Sequence, residues 1–438
     1  MGVAIAELMV PFMGAIQASV SVLLTIFFGV LCAQFNLLSG RSAKEVSSTC
    51  VRVFLPALLI YKVGSNLQQG TAVRYLPVLI WAVVYNVISM LLGVAATRIL
   101  KLPSWVTPAI AFNNTTSLPL LLIQSLNATG ILATILQDGD NAADAIDRAE
   151  SYFLINSMVS NSLTFALGPR LLRPNDEDAP EHEDTEEDDA QDDQGDGEGS
   201  DMERGPDGVI DEDTSLLPQR LVRHTNRTGR RAYNKGQRRW ENLSPWAQET
   251  LDVLYQFANA PIIGAIIGAI IGLTPPLHRL FFNDSTEGGY LNAWLTTAIK
   301  NVGDLFASLQ IIVVGVKLSQ SLRKMKRGED SGEVSKTSFA LVTLVRFFIW
   351  PLISIPLIWA LASKTDLLAD DPMLWFVLML MPCGPPAMIL VALTEVNGSP
   401  EMEKLAIAKF LTMSYAVTPL ICFAVVGSLK ASEAAISR

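Results

Sequence analysis

The sequence predicts an all-α membrane protein: ten transmembrane helices in a 5+5 inverted repeat, with the fourth and ninth helices broken and crossing. Three observations carry this expectation. Half of the 438 residues are apolar and only 17% are charged, well below the roughly 25% of soluble domains. Ten stretches come close to the about 20 apolar residues that cross a bilayer's hydrocarbon core. A charged segment divides those ten evenly, five before it and five after.

Charge is concentrated in that segment. Between Asp176 and Asp213 lie 20 of the 43 acidic residues and one base, Arg204, a net of −19 in a chain whose total is −10. The remainder is therefore positive and strongly apolar, and the acidic balance says nothing about partners. This excludes a soluble enzyme, a nucleic-acid binder and a secreted disulfide domain. The four cysteines, Cys32, Cys50, Cys383 and Cys422, sit in or beside apolar runs without metal-ligand spacing, so no metal site is expected. No enzyme constellation is present: the three histidines fall in loops, and no glycine-rich phosphate loop precedes a helix. No cofactor is expected.

The first run, Pro11 to Phe35, is longer than a signal-peptide core and is flanked by Glu7 with no base, so it reads as a retained span. The second covers Val46 to Ser65 and the third Tyr75 to Thr97. The fourth, Trp105 to Leu126, is interrupted by Asn113-Asn114-Thr115-Thr116-Ser117-Leu118-Pro119, which puts five consecutive polar side chains near the bilayer midplane. Pro119 also removes a backbone donor. The fifth run, Ser151 to Leu171, carries Asn156, Ser157, Ser160 and Asn161, expected mainly to pack against neighbouring helices.

The sixth run, Leu251 to Leu273, repeats glycine at 264, 268 and 272, a spacing that allows close helix contact within the fold or at a dimer interface. The seventh, Gly303 to Ser321, has Asp304 at its start and a snorkelling Lys317 near its end. The eighth, Phe339 to Ala362, holds Arg346 about a third of the way in, placed to meet an anion or Glu395. Charges inside spans are functional candidates. The ninth, Leu374 to Thr394, contains Pro382-Cys383-Gly384-Pro385-Pro386, which cannot form a continuous helix. The tenth runs from Ala406 to Leu429.

Bases such as Arg41, Lys44, Arg98, Lys101, Arg323, Lys324, Lys404 and Lys409 fall on one set of connections. This orients that side to the cytosol, with both termini on the other. The domains are then a first five-helix repeat over residues 1–173, a cytosolic loop over 174–245 and a second repeat over 246–438. The first part of the loop, acidic and glycine-rich, lacks the apolar residues to order itself. Its second part, Gln219 to Arg239, holds eight bases and no acid, suited to an anionic membrane surface or to the acidic stretch beside it.

Five spans per half is an odd number, so the halves have opposite orientations. Matching interruptions in the fourth span of each half are the sequence mark of a transporter's binding site. In lipid, such breaks survive only where protein or a water-filled cavity surrounds them. Crossed at the midplane, they would aim half-helix N-termini at one spot, which favours an anion. The candidate substrate-binding residues are Asn113, Asn114, Thr115, Ser117, Pro119, Pro385 and Pro386, with Arg346 and Glu395 as charge partners.

The runs AFNNTTSLPLLLIQSL and MPCGPPAMILVALTEVNG resemble the two crossover regions of the auxin efflux carrier family, closest to its PIN-LIKES branch and fungal relatives. The run Phe54-Leu55-Pro56-Ala57-Leu58-Leu59 resembles the family's second span. The resemblance covers about 350 residues, all but the loop. It implies the architecture shared with bile-acid symporters, with a scaffold part, a transport part and alternating access. It also implies small carboxylate substrates of the auxin kind and placement in the endoplasmic reticulum, with the plasma membrane as the other option. Plant PIN-LIKES members carry Asn five and two positions before the crossover proline; here Asn114 holds the first position and Ser117 the second.

The expected function is secondary transport of a small amphipathic organic anion in a lipid bilayer. The alternative is a lipid- or metabolite-sensing receptor that uses the same fold and signals through its loop. A homodimer remains open.

Overall fold

The computed structural model describes residues 2–68, 72–136, 141–172, 260–326, 334–365, 367–388, 390 and 401–436. The charged loop, Glu395 and the opening of the sixth run lie outside them. The described residues are helical apart from turns, connections and one isolated antiparallel bridge between Asn113 and Pro386.

Helix α1 covers Gly2–Gln34. The second span begins at Gly40, earlier than its apolar stretch, because Ser39 accepts a hydrogen bond from Ser42 N and caps a polar first helix, α2 (Gly40–Thr49). A π turn, Cys50–Phe54, joins α2 to α3 (Leu55–Asn66). Helix α4 (Leu76–Leu100) is the third span. The fourth run is two short helices, α5 (Val106–Ala111) and α6 (Ser117–Ala128), separated by non-helical residues 112–116. Helix α7 (Ala142–Leu172) is longer than the run that announced it. Its apolar signal is diluted by Ser151, Asn156, Ser157, Ser160, Ser162 and Thr164, all of them buried.

In the second half, α8 (Ala260–Leu273) bends by 101° into α9 (Pro275–Phe282). The bend falls at Pro275-Pro276, where proline opens a new helix and cannot continue the old one. Helix α10 (Thr297–Lys326) follows a π turn at Asn292–Thr296, so the seventh span starts well before Gly303. Asp304 accordingly lies inside the helix, on an exposed face, and not at its N-terminus. The eighth span is α11 (Lys336–Leu344), a π turn at Val345–Ile349 and α12 (Trp350–Lys364). Helix α13 (Pro372–Leu380) ends where the prolines begin. The tenth run divides into α14 (Glu401–Ala416) and α15 (Ile421–Ile436), interrupted at Thr418–Leu420 around Pro419.

Among the described residues, six helical stretches are long and apolar enough to cross a membrane: Met9–Gln34, Gly40–Asn66, Val73–Leu100, Asn292–Gln320, Lys336–Lys364 and Thr418–Ile436. Apolar side chains such as Leu24, Phe28, Ile80, Leu91, Leu305 and Leu352 remain exposed along them. A hydrocarbon solvent removes the penalty that water would impose on such a surface.

Glycine sets the tightest contacts. A β-carbon at Gly264 would stand 2.7 Å from Cα of Pro56, and one at Gly268 would stand 2.9 Å from the Leu59 carbonyl oxygen. The glycine stripe of α8 is thus occupied by α3 inside the chain and is not free for a second copy. Gly29 of α1 and Gly315 of α10 interlock likewise, each against backbone of the other helix.

Leucine at Gly315 has no side-chain rotamer to fill and must push α1 and α10 apart. Overpacking of this kind costs about 1–3 kcal/mol. Gly315→Leu should lower the thermal midpoint of the detergent-purified chain. An unchanged midpoint would show the helix pair to be looser than described.

Candidate functional site

The break between α5 and α6 and the break after α13 leave helical geometry inside the apolar body, and they meet. Asn114 N donates to the Pro385 carbonyl at 2.9 Å, and Ala387 N donates to the Phe112 carbonyl at 3.0 Å. Buried backbone polar groups need partners, and each break supplies them to the other. Gly384, at φ 116°, lets the second break turn where a side chain would be strained.

Asn113 is 4% exposed. Its amide Nδ2 donates to the carbonyls of Met381 and Cys383, each at 3.0 Å. Arg346 is fully buried, and its Nη1 donates to the intervening carbonyl of Pro382 at 3.1 Å. Three successive carbonyls freed by the second break are therefore satisfied by side chains from the first break and the eighth span. Arg346, in the π turn at Val345–Ile349, is thereby placed beside the second break. Its expected companion Glu395 lies outside the described residues.

Asn114 faces the other way. Its Nδ2 donates to the Tyr415 hydroxyl at 2.8 Å, and its Oδ1 accepts from Thr116 N at 3.3 Å. Ser117 opens α6, so the unpaired N–H groups of that helix's first turn point toward the same region. Thr115 and Ser117 are buried, as are Pro119, Pro385 and Pro386.

A cleft borders these residues. It is lined by Asn113 to Ser117, Ala387 and Met388 on one wall, and by Val51, Leu55, Phe306, Gln310 and Val314 on the other. It is open at its mouth and encloses about 100 Å³, less than the roughly 300–1,000 Å³ of drug-sized sites. None of its lining residues among those described is charged. The combination of apolar wall and amide-rich wall suits a small amphipathic molecule.

Of the sequence-derived candidates, the cleft lining includes Asn113, Asn114, Thr115 and Ser117. Pro385 and Pro386 are in the paired backbone beside it, while Pro119 and Arg346 stand behind, out of the lining. Three participants were missed. Asn161 lines the cleft and donates to Thr116 Oγ1 at 3.3 Å; its neighbours Asn156 and Ser160 instead hold the Tyr85 hydroxyl of α4, at 3.0 and 2.8 Å. Helical phase within α7 could have separated the two faces. Gln310 sits mid-span among apolar residues, a signal that was legible. Tyr415 carried no local mark, because only the fold brings it to Asn114.

Six described helical stretches long and apolar enough to cross a bilayer define a multi-pass membrane protein. The membrane transport protein family model matches residues 15–425, and the chain belongs to that family, the family of the auxin efflux carriers. An uncharacterized transporter of Schizosaccharomyces pombe is 26% identical over 427 residues, covering 92% of this chain and 91% of its own. Another, from Saccharomyces cerevisiae, is 23% identical over 418 residues and 92% of each chain. Arabidopsis thaliana PIN-LIKES 4 is 32% identical over 148 residues, 34% of each.

Removing the Asn113 amide strands the Met381 and Cys383 carbonyls, at about 1–3 kcal/mol for a buried unsatisfied group. Asn113→Leu should therefore destabilise the chain markedly, whereas Asn114→Ala, at a partly exposed position, should cost little. Paired thermal melts of the two variants check this order; the reverse order contradicts the assignment.

Proposed function

We propose that the chain is a secondary carrier of small amphipathic organic anions, auxin-like carboxylates, working by alternating access around the fourth and ninth spans. In this reading those spans are broken helices that cross at the bridge between residues 112–114 and 385–387. They belong to two inverted five-helix repeats, residues 1–173 and 246–438, joined by the cytosolic loop over 174–245. The single observation that supports it best is that two breaks far apart in sequence exchange backbone hydrogen bonds beside an uncharged, amide-lined cleft.

The carboxylate is received by the Asn114 amide, the Ser117 hydroxyl and the first-turn N–H groups of α6, where the helix dipole favours negative charge. Thr115 and Asn113 complete the polar wall. Pro119, Pro385 and Pro386 keep the breaks open by withholding helical donors. The apolar part of the substrate rests on Val51, Leu55, Phe306 and Val314. Arg346, a buried cation beside Pro382, lends positive potential to the crossing point. Among the described residues, the lining holds no carboxylate that would repel the anion. Placement in the endoplasmic reticulum is proposed from the likeness to the PIN-LIKES proteins. No observation on the described residues favours a receptor role, since the loop on which that reading depends lies outside them.

Reconstitution in liposomes with labelled organic acids, indole carboxylates among them, tests the proposal. Uptake should saturate, and Asn114→Ala and Pro119→Ala should each lower it at least tenfold. Uptake that survives both substitutions together would remove the site from the crossing point. Deleting residues 176–239 should leave flux intact; a carrier silenced by that deletion would revive the receptor reading.

A further inference from the structure

Away from the cleft, three ionisable side chains are drawn together in the interior. Lys62, near the end of α3, is 5% exposed, and Glu150 of α7 is equally buried. The Lys62 ammonium lies 2.6 Å from a carboxylate oxygen of Glu150 and 2.6 Å from one of Asp147. Asp147 reaches toward the outside, with its side chain 44% exposed. Ser151 adds a hydrogen bond from α7 to the Lys62 carbonyl at 3.0 Å, and Asn66 donates to the Ser151 hydroxyl at 3.0 Å. Two helices are thus fastened at one end by a buried, charged clasp.

The position of this clasp relative to the cleft is informative. Leu55 of α3 and Asn161 of α7 both line the cleft. At a rise of 1.5 Å per residue, Lys62 lies about 10 Å beyond Leu55, and Glu150 about 16 Å beyond Asn161. Both displacements run toward the end where α3 finishes and α7 begins, which the distribution of Lys and Arg assigns to the non-cytosolic side. The cleft has walls on both helices, so along each of them the clasp lies between the cleft and that side.

A third element ties the clasp to the site. Gln124 Nε2 of α6 donates to the second oxygen of Glu150, Oε1, at 2.9 Å. Ser117, at the opposite end of the same rigid helix, lines the cleft. A shift of α6 on ligand binding is therefore felt at Glu150. Close by, Asp371 caps α13 and accepts from the Tyr152 hydroxyl at 2.9 Å, with Arg148 Nε 3.6 Å away. This second set joins α7 to the start of the helix that leads into the other break.

We propose that Lys62, Glu150 and Asp147 form the carrier's non-cytosolic gate, an ion cluster that is made when the cleft is shut from that side and hydrated when it opens. The chemistry suits the task. A buried ion pair gains little over the same groups in water, because its desolvation cost offsets its attraction. A seal of this type leaves closed and open states close in free energy, as alternating access requires, since a state must be populated to be used. An apolar seal of the same extent would favour closure too strongly. Removing Lys62 strands Glu150 as a buried, unpaired charge, and removing both carboxylates strands Lys62; water entry relieves either, so these substitutions should bias the gate open.

The inference rests on the carrier reading, but its test needs no substrate, so a failed gate leaves that reading standing. Leu55→Cys is placed in the full-length chain with the four native cysteines replaced. The chain is held in sealed vesicles and exposed to a membrane-impermeant maleimide on the non-cytosolic face. Lys62→Met should raise the labelling rate at least tenfold, and Asp147→Asn combined with Glu150→Gln, which keeps shape and size and leaves the ammonium without a carboxylate, should do the same in a monodisperse chain. Lys62→Met combined with Glu150→Met replaces the pair by apolar side chains and should return labelling toward the parental rate, which mere loosening of the fold would not do. The proposal is overturned if Asp147→Asn with Glu150→Gln labels at the parental rate, or if Lys62→Met with Glu150→Met labels as fast as Lys62→Met alone.

Discussion

Backbone amide groups in hydrocarbon must find partners inside the protein, and in this chain two non-helical segments meet that requirement with each other. More than 250 residues apart in sequence, they would each be untenable alone in lipid. Placed against each other they exchange two hydrogen bonds. The carbonyls at 381, 382 and 383 are taken by Asn113 and Arg346. The two interruptions therefore create a polar island in an apolar body. Among the described residues, the cleft beside it has no charged side chain in its lining.

The rest of the architecture serves to keep that island in place. Around Arg346 lie Tyr85, Trp81 and Trp350, whose rings meet edge to face or tilted with centroids about 6.0 to 6.4 Å apart. The Trp81 indole N–H and the Ser354 hydroxyl donate to the Leu378 and Met379 carbonyls, holding the last turn of α13 just before its break. On the far wall, α1, α3, α8 and α10 are pressed together through glycines whose missing side chains allow backbone contact. One wall of the cleft thus rests on close helix packing and the other on a hydrogen-bonded crossing, a contrast suited to one part moving against the other.

Legibility from sequence followed the strength of the local signal. The long apolar spans were plain, and the polar run Asn113 to Ser117 and the cluster Pro382 to Pro386 stood out because few sequences place such residues in mid-span. The start of the seventh span was obscured by Asn292, Thr296, Thr297, Lys300 and Asn301, whose polar side chains mask a helix that nonetheless begins there. The interruption at Pro419 was hidden by continuous apolarity, since proline marks a break only in three dimensions when neighbours allow the chain to bend. Lys62 gave no local sign of its role, because its partners Asp147 and Glu150 come from another helix. Tyr415 was silent for the same reason: its meaning lies in what the fold sets opposite it.

The most direct measurement is a density map of the full-length chain with an indole carboxylate bound. The account predicts the carboxylate within hydrogen-bonding reach of the Asn114 amide and the Ser117 hydroxyl, with the ring against Leu55 and Phe306. A ligand seated on the lipid-facing surface, or a map in which residues 112–116 continue as helix, would contradict it.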